Sequence, residues 1–348
     1  MIIVMKLNAP QSQVDAVKER LNQVGLKPHT IEGVEKQVIG AVGNQNLSLL
    51  SGLEIMEGVE KVLHVSSPYQ LVSREAKEEN SIIDLGGVKI GGPELAIMAG
   101  PCAVEDYEKT SSIGHFLKEQ GVSILRGGAY KPRTSPYSFQ GLEIEGLEIL
   151  YQVAQETGLK IVSEVLSPSD VEVVSSYVDV MQIGARNMQN YALLKEAGKS
   201  LKPVLLKRGM ACSIEEWLMS AEYIMAEGNP HVILCERGIK TFEGYTRNTL
   251  DISAVSLAKQ LSHLPVIADP SHSSGSWKLV PSLSKAIISA GGDGLIIEVH
   301  ENPAEAWCDG PQSLNFSTFQ NMMSQLHPVA TALGRNMPEL PKKVKGEK

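Results

Sequence analysis

Eight times between Leu95 and Glu298, a short run of mostly branched aliphatic residues ends in a polar or charged residue and gives way to a stretch able to hold a helix. The runs lie in ELAIMAGPC (Glu94–Cys102), SILRGGAYK (Ser123–Lys131), KIVSE (Lys160–Glu164), VMQIGAR (Val180–Arg186), PVLLKR (Pro203–Arg208), VILCER (Val232–Arg237), PVIADPSH (Pro265–His272) and GLIIEVH (Gly294–His300). Short, continuously apolar runs suit strands buried on both faces, the condition of a parallel sheet covered by its own crossover helices. Eight βα units predict a closed (β/α)8 TIM barrel of roughly 250 residues. Cys102, Arg126, Lys131, Glu164, Arg186, Lys207, Arg237, His272 and Glu298 all fall at or just past the C-terminal end of a run. In such a barrel those ends converge on one face, where active sites are built.

The chain has 348 residues, so a smaller unit accompanies the barrel. Residues 1–73 read as that unit. MIIVMKL, His29–Val34, Lys36–Val42 and Val59–Val65 read as strands, and Ser12–Val24 and Leu47–Met56 as helices. Val14, Val17, Leu21 and Val24 form the apolar stripe of the first helix. The order βαββαβ is that of a ferredoxin-like α+β module. Polar SREAKEENS (Ser73–Ser81) marks the boundary, and residues 74–340 are assigned to the barrel. IIDLGG and VKIGG read as a hairpin turning at Gly86 and Gly87 and capping the closed end of the barrel. The last helix is expected over Ser317–Leu333, and the basic tail Pro341–Lys348 beyond any packed element.

A net charge of −8 argues against a polyanion-binding surface. Basic residues gathered at strand ends against that background favour a small anionic ligand over nucleic acid. Cys102, Cys212, Cys235 and Cys308 show no paired spacing, and no secretory leader is evident, so a reduced, cytoplasmic protein is expected. No apolar run approaches the ~18 residues of a membrane span.

Arg126, Lys131, Arg133, Arg186, Lys207, Arg208 and Arg237 all follow apolar strands. Cations are rarely buried without partners, and several in one mouth need anions. A phosphate group takes bidentate arginine well. One such residue alone reads as a salt bridge; the repetition is what points to a ligand. Gly127 and Gly128 permit close backbone approach, Pro132 stiffens the following loop, and Thr134 and Ser135 add hydroxyl donors. Cys102, His272, Glu298 and Asp309, from four separate places, would suit a divalent transition metal with an open coordination position. Taken singly, each is as well explained as a packed thiol or a hydrogen-bonding loop residue. Asp269 can orient His272. Glu164 can steer a proton or a water, or bridge an arginine. His300 can share the face of Glu298. Tyr137, Phe139 and Trp307 read as packing residues. Lys207 suits either anion binding or a Schiff base with a carbonyl substrate.

Many motifs recur in order: AGPC (Ala99–Cys102), LRGGAYKPRTSPYSFQG (Leu125–Gly141), QIGARNMQN (Gln182–Asn190), LLKRG (Leu205–Gly209), CERGI (Cys235–Ile239), RNTLDI (Arg247–Ile252), DPSHS (Asp269–Ser273), IIEVH (Ile296–His300) and Asp309–Gly310. Together they resemble 3-deoxy-D-arabino-heptulosonate 7-phosphate (DAHP) synthase, in its short microbial form with an N-terminal ferredoxin-like regulatory domain. The resemblance implies condensation of phosphoenolpyruvate with erythrose 4-phosphate, the first step of the shikimate pathway toward aromatic amino acids. It implies that Cys102, His272, Glu298 and Asp309 hold a divalent metal (manganese, iron, cobalt, zinc or similar). Arg126, Lys131, Arg186, Lys207 and Arg237 would hold the phosphate and carboxylate of phosphoenolpyruvate. Glu164 would sit near the water that adds to C2. Lys131, Arg133, Thr134 and Ser135 would grip the aldose phosphate. An aromatic amino acid effector, tyrosine or phenylalanine, and a homo-oligomer, a tetramer by family, are also implied.

The nearest rival is the 3-deoxy-octulosonate 8-phosphate synthase reaction on arabinose 5-phosphate, on the same barrel; Pro132–Arg133–Thr134 favours the heptulosonate enzyme. A Schiff-base aldolase using Lys207 is a rival of another mechanistic class, and a metabolite-binding regulator is a rival without catalysis. Asp309 adjoins Cys308, so a metal shared by Asp309 and Cys102 would bring the two thiols near each other.

Overall fold

The computed structural model describes residues 1–32, 37–42, 52–63 and 68–337. At the N-terminus, strands β1 (Ile2–Met5), β2 (Lys27–Glu32), β3 (Gln37–Val42) and β4 (Val59–Leu63) form an antiparallel sheet in the order β2-β3-β1-β4. Helix α1 (Gln11–Gln23) covers one face. The order is that of a ferredoxin-like sheet, as the pattern predicts. Strand β1 is apolar throughout because both faces are covered. Ile3 and Met5 pack with Val14, Val17 and Leu21 of α1, whereas Ile2 and Val4 join the barrel-side core with Tyr69 and Leu71. Strand β2 starts two residues earlier than expected, at Lys27. The expected helix Leu47–Met56 falls partly outside the described residues; within them Leu53–Ile55 makes one 3-10 turn. The ends of the expected strands at Val34 and Val65, and the tail Pro341–Lys348, also lie outside the described residues.

The barrel strands are β7 (Ala96–Gly100), β8 (Ile124–Arg126), β9 (Lys160–Val165), β10 (Val180–Ile183), β11 (Val204–Lys207), β12 (Val232–Glu236), β13 (Val266–Ala268) and β14 (Gly294–Glu298). They are parallel and close through pairing of β14 with β7. Successive side chains point to opposite faces. Met98, Ile124, Val162, Val180, Leu205, Ile233, Ile267 and Ile296 pack inside. Ile97, Leu125, Ile161, Met181, Leu206, Leu234 and Ile297 pack outward in the core shared with the helices. Hairpin β5 (Ile83–Asp84) and β6 (Lys89–Ile90) places Ile83, Leu85 and Ile90 in the interior cluster, plugging the end opposite the strand termini. Its turn is Gly86–Gly87, with φ of 79° and 100°. A two-residue turn with positive φ at both positions is what glycine permits.

Around the barrel run α2 (Tyr107–Glu119), α3 (Ile144–Thr157), α4 (Val171–Tyr177), α5 (Tyr191–Lys199), α6 (Ile214–Met225), α7 (Ile252–Leu261), α8 (Pro270–Ser274), α9 (Val280–Ser289) and α10 (Phe316–Ala332). Their starts are specified locally. Asp106, Asn190, Asp251 and Asn315 accept from backbone N–H groups of their first turns, and Ser213 with Glu216 forms a capping box on α6. Among the described residues no helix is long and apolar enough to cross a membrane.

The segment joining the two units is pinned to the barrel by polar contacts. Glu222 of α6 accepts from the backbone N–H groups of Leu71 and Val72 at 2.9 and 3.0 Å. His263 lies 2.8 Å from the Leu71 carbonyl through Nε2 and 2.8 Å from Ser81 Oγ through Nδ1. The carbonyl can only accept, so Nε2 donates and Nδ1 accepts. Burial pushes the pKa of this histidine down to about 4, against the contact with Leu71.

Candidate active site

Continuing the inward alternation of each strand by one step past the apolar core reaches Gly100, Arg126, Glu164, Gln182, Lys207, Arg237, Asp269 and Glu298. That parity is why these polar residues meet, and why the intervening ones do not. Arg208 follows Lys207 and therefore points outward. It bonds Glu236 at 3.0 Å and Asp251 at 2.9 Å between barrel and helices, and is not part of the site.

Above the core opens a cavity of about 270 Å3. Arg126, Lys131, Lys207, Arg237 and Glu164 line its depth; Arg133, Thr134, Ser135 and Arg186 line its outer part; His272, Cys308 and Asp309 close one side. Several cations are matched internally. Arg126 bonds Glu298 at 3.0 Å and the Pro101 carbonyl at 2.8 Å. Lys207 bonds Asp269 at 2.6 Å. Lys131 donates to the Cys102 carbonyl at 2.9 Å and its Sγ at 3.1 Å. Arg237 is different. It is 5% exposed, burial lowers its pKa, and its one hydrogen bond among the described residues is a 3.4 Å contact to the Gly238 carbonyl. A buried guanidinium without a carboxylate bonded to it is costly, and its charge suits an anionic ligand. At the mouth, the one hydrogen bond of exposed Arg186 among the described residues is to Thr134 Oγ1, at 3.5 Å.

Cys102, His272, Glu298 and Asp309 come together, each offering one donor atom, all within 4.8 Å of one another. His272 Nε2 lies 3.3 Å from Glu298 and 3.8 Å from Asp309, and Cys102 Sγ lies 3.5 Å from Asp309. The orientation of His272 is set from behind. Asp269 caps α8 through the His272 N–H at 2.8 Å and takes Nδ1 at 2.7 Å, leaving Nε2 facing the other donors. His272 and Lys207 hold the Asp269 carboxyl well below its usual range despite burial. Burial, and after it Cys102, pushes Glu298 up to about 7. Arg247, at 3.2 Å, and His272 hold Asp309 down to about 2 against burial. The contact between the thiols raises Cys102 and brings Cys308 down to about 7. One thiol, one imidazole and two carboxylates at this spacing fit a metal ion, and the neighbouring Lys131 ammonium favours the thiolate.

Glu164 pairs with Gln182, whose Nε2 donates at 3.1 Å, rather than with an arginine. His300 does not share the face of Glu298: its Nε2 lies 3.5 Å from Glu105, away from the cavity. Phe139 and Trp307 pack edge to face at 5.1 Å, as expected, but Tyr137 is almost fully exposed instead of packed. Arg247, Gln182, Gln312 and Glu105 were not singled out by sequence reasoning. Gln182 was reachable by parity, since it pairs with Glu164 across β9 and β10. Gln312, which donates to Glu298 at 2.6 Å and ends the short 3-10 turn Gly310–Gln312, and Arg247, in a loop, lie outside any periodic pattern and could not be found so.

Residues 72–333 match the DAHP synthetase I family, and residues 1–67 match the DAHP synthase ferredoxin-like domain. The chain is 50% identical over 334 residues to the phospho-2-dehydro-3-deoxyheptonate aldolase of Thermotoga maritima, covering 96% of this chain and 99% of that one. It is 34% identical over 263 residues to the 2-dehydro-3-deoxyphosphooctonate aldolase of Desulfatibacillum aliphaticivorans, covering 70% of this chain and 95% of that one. The crystal structure of the Thermotoga maritima DAHP synthase superposes with a TM-score of 0.77 at 49% identity, over 97% of this chain and 98% of that chain.

Proposed function

Because the chain belongs to the DAHP synthetase I family, we propose that it condenses phosphoenolpyruvate with D-erythrose 4-phosphate and water, giving 3-deoxy-D-arabino-heptulosonate 7-phosphate and phosphate. The observation that carries the reading is buried Arg237, without a carboxylate partner among the described residues, in a cavity walled by further cations beside the four donors. Two phosphorylated substrates and a carboxylate are what that charge distribution suits.

Arg126, Lys131, Arg186, Lys207 and Arg237 hold the phosphate and carboxylate of phosphoenolpyruvate; Arg133, Thr134 and Ser135, with Lys131, take the phosphate of the aldose. C3 of phosphoenolpyruvate attacks the aldehyde carbon, and positive charge develops at C2. Water adds there, oriented by Glu164, whose carboxylate Gln182 fixes. The hemiketal phosphate then loses phosphate by C–O cleavage. Pre-placed cations spare the reaction the cost of arranging two anions face to face. Cys102, His272, Glu298 and Asp309 would hold a divalent metal such as manganese, iron, cobalt or zinc, which when bound polarises the aldehyde oxygen as a Lewis acid.

The octulosonate reaction is the rival reading. It is disfavoured by Pro132–Arg133–Thr134 and by the lower identity to the octulosonate relatives. Assay of phosphoenolpyruvate consumption with erythrose 4-phosphate and with arabinose 5-phosphate, with and without chelator, tests the reading. Turnover confined to erythrose 4-phosphate and abolished by chelation is expected; preference for arabinose 5-phosphate, or full activity in metal-stripped protein, refutes it. For residues 1–73 the proposed role is feedback control by tyrosine or phenylalanine, a reading that the match of residues 1–67 to the ferredoxin-like domain supports; the proposed setting is a cytoplasmic homo-oligomer. Indifference of the full chain to both amino acids would remove that role.

A further inference from the structure

We infer that Glu105 is a positioning residue that sets Asp309 and Arg133 for the reaction by clamping the loop after β14 to the loop after β7. The inference rests on the metal-site reading above.

Glu105 lies three residues beyond Cys102, and its side chain is 3% exposed. Its Oε1 accepts from the Trp307 backbone N–H at 2.6 Å and faces His300 Nε2 at 3.5 Å. Its Oε2 accepts from Lys109 at 2.8 Å. His300 Nδ1 accepts from the Asn302 N–H at 3.1 Å, while its buried Nε2 makes no hydrogen bond among the described residues. The carboxylate thus holds the segment from His300 to Trp307 at its Trp307 end, with the His300 ring packed beside it. This segment contains a single 3-10 turn, Pro303–Glu305, and otherwise no regular structure to hold it. Cys308 and Asp309 follow directly, and Asp309 sits at φ of 52°, a left-handed conformation that aspartate tolerates better than most residues but that still favours a fixed setting. The same clamp reaches the other half of the site. Trp307 packs on Phe139, and Arg133 donates to the Phe139 carbonyl and to Cys308 Sγ, both at 3.3 Å. Releasing Trp307 would therefore loosen a proposed metal ligand and a proposed aldose-phosphate ligand together, while Arg126 and Lys207 keep their own carboxylate partners.

Substitution tests this. Metal-free parent, Glu105→Ala, Glu105→Asp and Glu105→Gln proteins are titrated with Co2+, followed by the cobalt–thiolate absorption and by competition with a chromogenic chelator. Loss of an outer support of this kind weakens metal binding by about 10–100-fold, expected for Glu105→Ala. Glu105→Gln keeps an acceptor for Trp307 and should stay within about threefold of the parent. The KM for erythrose 4-phosphate should rise in Glu105→Ala while that for phosphoenolpyruvate holds. If Glu105→Ala does not fold, Glu105→Asp decides, since its shorter side chain withdraws from Trp307 and should weaken Co2+ binding by at least about fivefold. Folded Glu105→Ala, or failing it Glu105→Asp, binding Co2+ within twofold of the parent overturns the inference, whatever its melting temperature. A parent that binds Co2+ without a thiolate band overturns the metal-site reading itself, a distinct failure.

Discussion

Asp269→Asn changes one atom and should disturb both halves of the site. Asp269 is buried, and its two oxygens serve three donors: the His272 N–H at 2.8 Å, His272 Nδ1 at 2.7 Å and Lys207 Nζ at 2.6 Å. An asparagine amide, whichever way it turns, presents N–H to at least one of these donors, and the negative charge that compensates buried Lys207 is gone. Breaking a buried pair while leaving one charge uncompensated costs about 3–5 kcal/mol. Partial rotation of Lys207 toward the cavity places the expected loss at the lower end, about 3 kcal/mol. The imidazole also loses what fixes its tautomer, and metal affinity should fall by about 10–100-fold. Urea unfolding gives the first quantity, Co2+ competition the second, and the KM for phosphoenolpyruvate should rise because Lys207 is no longer held. A variant with parental stability and with Co2+ affinity within twofold would refute the view that Asp269 organises His272 and Lys207.

A methyl group at Gly184 would overlap Glu164 Oε1, and backbone strain is not at issue since φ is −69°. Gly184→Ala should therefore displace the Glu164 carboxyl and lower kcat by about 10–100-fold with little change in either KM; unchanged kcat would remove Glu164 from the water-addition step. His263 has a folded pKa of about 4, below its unfolded 6.5, so the unfolded chain binds the extra proton between those pH values. Stability should fall by up to about 3 kcal/mol as pH drops from 6.5 to 4. Denaturant titrations should show a shallower fall in His263→Gln, and equal slopes would refute the assignment. Cys102 and Cys308 lie in one buried cluster. In metal-stripped enzyme, dioxygen should take two electrons from the pair and leave a disulfide, the two thiol protons going to the reduced oxygen. Thiol should reverse the inactivation, and peptide maps with both thiols free, or Cys102 as sulfinic acid, would exclude it.

The eight-stranded closure was legible because strands buried on both faces carry continuous apolar runs whatever their partners. Ferredoxin-like pairing was legible from element order, and the hairpin from Gly86 and Gly87. Alternation within each strand then determined, from local sequence alone, that Arg126, Glu164, Lys207 and Glu298 share one interior, and the same rule, followed strictly, removes Arg208. Which loop residues meet was left to the tertiary structure. Asp309 finds Cys102 across 207 positions, Glu105 finds Trp307 across 202, and Glu222 finds Leu71 across 151. Loops have no period, so their partners follow from barrel closure, which brings the strand ends to one rim. That closure also decided which cations are matched by neighbouring carboxylates and which, like Arg237, are left facing the cavity, because the choice depends on distances between side chains far apart in the chain.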